Sequence, residues 1–134
     1  MGSEAPVVRR INPWQSRGRF SQGIEITGPG RIFYFSGQTS LNADGALEHT
    51  GDMAGQLRLV LDNVETVLRE ANMALANVVQ FNYYTTDMQG FIANAAVITD
   101  RLAEADIQPA STLLGVKQLA MEGLLVEIDG VAVA

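Results

Sequence analysis

The stretch from Leu124 to Val133, LLVEIDGVAV, constrains the fold more than any other part of the chain. Successive side chains of a strand point to opposite faces. Val126, Ile128, Gly130 and Ala132 therefore share one face, which suits a layer of covering helices. Leu125, Glu127, Asp129, Val131 and Val133 share the other. That second face is too apolar for open water, yet it holds two acids. A carboxylate in such a setting is paired, exposed or part of a site. Val78 to Thr86 repeats the constraint, with Val79, Phe81, Tyr83 and Thr85 on one face and Val78, Gln80, Asn82, Tyr84 and Thr86 on the other. A single sheet with a helix layer on one side and such a face on the other buries that face against copies of itself. The expectation is a homo-oligomer with sheets facing inward and partly polar clefts between subunits. Glu127 then has two readings, a site residue or a solubilising charge at a wet interface, and the strand pattern favours neither.

The remaining elements follow from periodicity and punctuation. Residues 1–17 carry Pro6, Pro13, Trp14 and several arginines without a period, so an irregular arm is expected, with Trp14 packed against the body. Met1-Gly2-Ser3 reads equally as native sequence or as an expression remnant. Gly23 to Thr27 and Arg31 to Ser36 flank Gly28-Pro29-Gly30 and read as a hairpin. Gly37, at the end of an aromatic strand, marks a bulge or a close backbone approach. Gln38 to Gly51 is loop-like, with a turn at Asn42-Ala43-Asp44-Gly45. Asp52 to Ala71 is a helix whose apolar stripe is Met53, Leu57, Leu61, Val64, Leu68 and Ala71, capped by Thr50 or Asp52. After the strand 78–86, Asp87 caps a second helix over 88–105. Two strands, about 111–118 and 124–133, close the chain. The order is ββαβαββ, an α+β fold in which two helices cover one face of a mixed sheet.

Composition narrows the function. At 134 residues the chain forms one domain. Charged residues are only 18%, which points to surface covered by another subunit. A net charge of −6 and a single lysine, Lys117, argue against a phosphate-backbone partner, which needs clustered basic residues. The chain has no cysteine, which removes disulfides, thiolate catalysis and cysteine-bound zinc. No stretch has the run of apolar residues that a membrane helix requires, and a cytoplasmic protein with no membrane partner is expected. His49 is the only histidine, so no metal site is expected and a solvent-facing loop position is. No G-x-S-x-G, Walker or G-x-G-x-x-G motif is present. Glu127 and Asp129 stand ~7 Å apart along one strand face. Glycosidase chemistry uses paired acids, but no aromatic sugar platform accompanies these two.

Taken in order, several segments resemble the RidA/YjgF (Rid) family. They are Gly18-Arg19-Phe20-Ser21-Gln22, Ser36-Gly37-Gln38, Leu61-Asp62-Asn63-Val64, Tyr84-Thr85-Thr86-Asp87-Met88, Pro109-Ala110-Ser111-Thr112 and Leu125-Val126-Glu127-Ile128-Asp129. The resemblance spans about residues 18–133. It implies a chorismate-mutase-like fold over 18–134 and a homotrimer whose sheets form an inner barrel, with ligand clefts between neighbours. It also implies hydrolysis of reactive enamines and imines, such as 2-aminoacrylate, to a keto acid and ammonia without a cofactor. By the same resemblance, Glu127 orients the attacking water, and Phe20 and the backbone of Ser36 and Gly37 line the cleft, with Ser111 and Thr112 shaping it. The family pattern Pro-Ala-Arg-Ser places an arginine where this chain has Ser111. A hydroxyl lacks the charged planar fork that grips a carboxylate. The expected ligand is therefore a small imine, enamine or carbonyl compound without a carboxylate, unless Arg17, Arg19 or Arg31 supplies the charge. Efficient 2-aminoacrylate turnover is not expected. The other reading is a non-catalytic binding or regulatory trimer.

Overall fold

A computed structural model of the chain describes residues 5–14, 19–28 and 30–134. Met1-Gly2-Ser3, Arg17, Gly18 and Pro29 lie outside the described residues. The elements run β1 (Val7–Ile11), β2 (Gly23–Thr27), β3 (Ile32–Gln38), α1 (Met53–Glu70), a 3₁₀ turn (Leu75–Asn77), β4 (Val78–Thr85), α2 (Met88–Ala93), α3 (Ala96–Glu104), β5 (Ala110–Gly115) and β6 (Val126–Val133).

The main sheet has the order β3-β6-β4-β5, with β4 and β5 parallel and the other pairs antiparallel. The mixed sheet and its helix layer are those expected. Val126, Ile128 and Ala132 of β6 are buried, as are Val79, Phe81, Tyr83 and Thr85 of β4. Of these, Val126, Ile128, Ala132, Phe81 and Tyr83 share one core with the α1 stripe of Leu57, Val60, Leu61, Val64 and Leu68, each fully buried. Removing one of these leucines leaves a cavity that typically costs about 2–5 kcal/mol. Asp52 caps α1 by accepting from the Gly55 amide at 3.0 Å, and Asp87 caps α2 by accepting from Gly90 at 3.0 Å.

Four expectations are corrected. Residues 7–11 form a strand, where an irregular arm was expected. β1 pairs with β2 in a separate two-stranded sheet, and β2 does not pair with β3, so 23–36 is no hairpin. The apolar alternation of Val7, Val8 and Ile11 is too short to outweigh the prolines and arginines around it in a sequence reading. Trp14 lies beyond the end of this small sheet and is 64% exposed. The second helix is broken in two at Asn94 and Ala95. The Asn94 amide donates back to the Gly90 carbonyl at 2.8 Å, and a side chain that competes for backbone groups in this way interrupts a helix.

Ser21, just before β2, is tied to the start of β5 at the edge of the main sheet. Ser21, 2% exposed, donates from its hydroxyl to Gln108 O at 2.5 Å, and its amide donates to Pro109 O at 3.2 Å. Phe20 is thereby set beside the start of β5. The face of the main sheet away from the helices carries Ile32, Tyr34 and Leu114, which are 62%, 75% and 50% exposed.

Candidate functional site

The residues named from the sequence fall into two groups, one on each side of the main sheet. The first group lies on the open face. Glu127 sits opposite Tyr84 on β4, and Asp129 sits opposite Asn82. At the β3 bulge between Phe35 and Gln38, the Gly37 backbone lies directly under the Glu127 carboxylate. A Cβ at position 37 would meet Glu127 Cδ at 2.5 Å and Cγ at 2.8 Å, so any other residue there would push the acid's side chain aside. This is the close approach expected of Gly37. Ser36 beside it is exposed, and its carbonyl accepts from Gln38 Nε2 at 3.2 Å. Thr112 pairs in register with Asn82 and so belongs to the Asn82–Asp129 row.

The two acids differ in their partners. Asp129 accepts from Asn82 Nδ2 at 2.8 Å and from the Tyr84 hydroxyl at 3.0 Å. It is a held, structural carboxylate. That bond is also the main cause that raises the Tyr84 phenol above its ordinary range, with burial and the charges of Asp129 and Glu127 adding to it. Glu127 makes no hydrogen bond or ion pair among the described residues. Partial burial, and then the Asp129 charge, push its carboxyl above the ordinary glutamate range. A half-buried acid with raised proton affinity and no partner is equipped to take up and return a proton.

The second group lies on the helix side. Ser111 stands beside Phe81 in the parallel β4–β5 register, and Phe81 is wholly buried on that side. Ser111 and Phe20 line one cavity of about 360 Å³ between α2, α3 and the edge of the sheet. The Ser111 hydroxyl donates to Pro109 O at 3.1 Å. Burial raises the Tyr83 phenol well above its ordinary range, against the smaller opposing effect of Ser111, so it stays neutral. Arg19 also lines this cavity, with Nε donating to Ile107 O at 3.1 Å and a terminal nitrogen 3.3 Å from Asp106 Oδ1. Arg31 is elsewhere, donating to Ala71 O at 2.7 Å at the end of α1.

One chain thus brings Glu127 to Gly37 and Phe20 to Ser111, and leaves the two pairs on opposite faces. The sequence reading missed Tyr83 as a companion of Ser111, and it offered Arg19 only as one of three arginines that could reach the cleft. Only the parallel register of β4 and β5 and the Ser21 anchor bring them together, and neither has a local sequence signal. The Asn82 and Tyr84 clamp on Asp129 was foreshadowed by their shared strand face. His49, exposed as expected, carries a left-handed φ of 63°. Among the described residues no three His, Cys, Asp or Glu side chains gather as a metal site, and no helix is long and apolar enough to cross a membrane.

Comparison with known proteins places these features in context. A family profile described as endoribonuclease L-PSP matches residues 10–134. A RutC family protein of Aquifex aeolicus is 30% identical over 116 residues, covering 87% of this chain and 89% of the relative. Protein mmf1, mitochondrial, of Schizosaccharomyces pombe is 33% identical over 119 residues, covering 87% of this chain and 69% of the relative. The crystal structure of YyfB from Yersinia pestis, a protein of unknown function of the conserved Rid family, superposes with a TM-score of 0.81 at 32% identity. That match covers 95% of this chain and 98% of the other.

Proposed function

Because the chain belongs to the Rid (RidA/YjgF) family, we propose that it works as a homotrimer whose intersubunit clefts hydrolyse a small reactive imine, enamine or carbonyl compound. Family membership supports a role in processing or binding small molecules. The observation that carries the finer reading is the seat of Glu127. Its carboxylate rests on the Gly37 backbone, has no partner among the described residues, and has a raised proton affinity. These are the attributes of a group that orients and deprotonates a water. The addition of that water to a carbon–nitrogen double bond, followed by loss of ammonia, needs no cofactor.

The location of Ser111 supports a cleft between copies. Glu127 and Ser111 lie on opposite faces of one sheet, so a single ligand touches both only if a neighbouring copy supplies one of them. Ser111 also argues against the usual 2-aminoacrylate substrate. A hydroxyl in place of a guanidinium forfeits a charge-assisted contact worth about 1.5–3 kcal/mol.

The test is ammonia or ketone release from a panel of imines, half bearing a carboxylate and half neutral, with Glu127→Gln as control. Turnover of neutral imines that disappears in the variant is expected. No turnover of any member overturns the reading in favour of the second one, a binding or regulatory trimer. That second reading draws on Ser111 itself, whose hydroxyl is already committed to Pro109 O. RNA cleavage, suggested by the family's description, is opposed by the net charge of −6. A cytoplasmic location belongs to the same proposal. The fission-yeast relative is named as mitochondrial, and cell fractionation decides the point.

A further inference from the structure

We propose that the pocket between the small β1–β2 sheet and the end of the main sheet binds a small monocarboxylate with an apolar body, its head held by Arg10. The pocket has a volume of about 600 Å³, within the range of ligand sites. Among the described residues it shares no lining residue with the Ser111 cavity, and binding there needs nothing of the chemistry proposed for Glu127. Its floor is the start of β4, the end of β6 and the loop before β5, where Val78, Val79, Ile107 and Val133 are buried. Its roof is the small sheet, where Arg10 and Ile24 stand side by side in the β1–β2 register. That sheet is pinned at both ends, so the pocket is formed before a ligand arrives. At one end Gly30 packs so closely that a Cβ there would lie 2.8 Å from Pro6 Cδ and 2.7 Å from Ala134 O. At the other, Arg10 donates to Asp106 O at 3.0 Å and the Ser21 hydroxyl donates to Gln108 O.

The charges at the pocket leave one cation uncompensated. Arg9 is paired with Glu25 at 3.2 Å, and the Asp106 carboxylate lies 3.3 Å from the Arg19 guanidinium. Arg10 has no ion pair among the described residues, and its bond to Asp106 O is to a neutral carbonyl. That bond fixes the guanidinium in place and leaves the rest of its planar fork for a carboxylate. One positive charge balances a monoanion and leaves a phosphate dianion half compensated. The surrounding field has the same sign. Up to Arg31 the chain carries Arg9, Arg10, Arg17, Arg19 and Arg31 against Glu4 and Glu25, although the whole chain has a net charge of −6. The apolar body follows from the lining. Val8 is 45% exposed beside Ile24, and a carbon chain laid between them and the floor removes both from water.

Three probes with the same eight-carbon chain separate the cases: octanoate, 1-octanol and octyl phosphate. Each is titrated as monomers into the full chain in its native assembly, with binding followed by calorimetry and chemical-shift perturbation. Octanoate is expected to bind at least about tenfold more tightly than octanol, and more tightly than octyl phosphate. Its shifts should centre on Ile24, Val79 and Val133. Arg10→Gln should weaken octanoate at least about tenfold and leave octanol unchanged. Arg10→Lys, which keeps the charge and loses the fork, should fall between. Ala76→Phe, at the exposed rim of the pocket, should weaken octanoate and octanol alike, and serves if Arg10→Gln loosens the small sheet. Glu127→Gln should leave octanoate binding as it is.

Octanol binding as tightly as octanoate, or octanoate binding indifferent to Arg10→Gln, overturns the inference, because the carboxylate then has no seat. Tighter binding of octyl phosphate overturns the monocarboxylate. Shifts confined to Thr99 and Leu113, which line the Ser111 cavity, place the ligand there and remove the pocket. Failure of every probe to bind, or octanoate binding unaffected by Ala76→Phe, removes it as well. The proposed hydrolysis at Glu127 is decided by imine turnover and is untouched by each of these outcomes.

Discussion

Glu127 and Asp129 are two residues apart on one strand, chemically alike, and set apart by their neighbours. Asn82 and Tyr84 occupy Asp129, while Glu127 faces Gly37 with no donor among the described residues. The sequence showed the pair and the face they share, and it could not show which acid was clamped, because the clamp comes from the β4–β6 register. Glu127→Gln should therefore abolish imine turnover, by about 100-fold or more if the carboxylate is the general base, with ligand binding preserved in a parallel titration. The pH dependence follows from the raised carboxyl. A general base works only when ionised, so activity should rise with pH through a midpoint above the ordinary glutamate range. Since the Asp129 charge is part of that shift, Asp129→Asn should move the midpoint to lower pH, and an unmoved midpoint would assign the shift to burial alone. The same raised value has a stability consequence. Glu127 contributes stability at pH below its unfolded value, and that contribution is lost as pH rises through the folded value. Urea melts across this interval should lose that slope in Glu127→Gln.

At the scale of elements, the β3 bulge is the device that makes space for the acid, and its signature, Gly37 after an aromatic run, was readable. Gly37→Ala should reduce turnover at least about tenfold while far-UV circular dichroism stays unchanged, since an added Cβ displaces a side chain and leaves the ladder intact. The helix stripe and both aspartate caps were also readable, because caps and periodicity are local. The pairing of β1 with β2 was not. It joins Val7 to Thr27 across the segment around Trp14, and the glycine turn after β2 mimics a hairpin with β3. Gln56 shows the same limit in the core. It is fully buried, donates to His49 O and Gly123 O, and accepts from the Leu125 amide at 2.8 Å, so one side chain ties α1 to the approach to β6. Gln56→Leu strands those backbone groups and should cost about 3 kcal/mol, read from urea unfolding. A helix-wheel reading has no reason to single it out.

For the whole molecule, the decisive relation is between the two faces of the main sheet. Glu127 and Gly37 belong to the open face, beside exposed Ile32, Tyr34 and Leu114, and Phe20 and Ser111 belong to the helix side. Strand alternation in the sequence already separated the faces of β6 and β4. It could not assign Ser111 to a face, because that depends on which neighbour β5 pairs with and in what register. If one ligand spans both halves, each cleft takes Glu127 from one copy and the cavity from another, and two inactive variants should complement each other. Subunits carrying Glu127→Gln and subunits carrying Thr99→Phe are each expected to be inactive alone. After unfolding and refolding together in equal amounts, random assembly into a closed ring gives about a quarter of clefts with both halves intact. Turnover should return to about a quarter of the native value per cleft, and a mixture prepared without subunit exchange should stay inactive. Inactivity of the refolded mixture, with mass measurements showing that the subunits have mixed, would mean that both halves act within one chain, and would remove the intersubunit cleft.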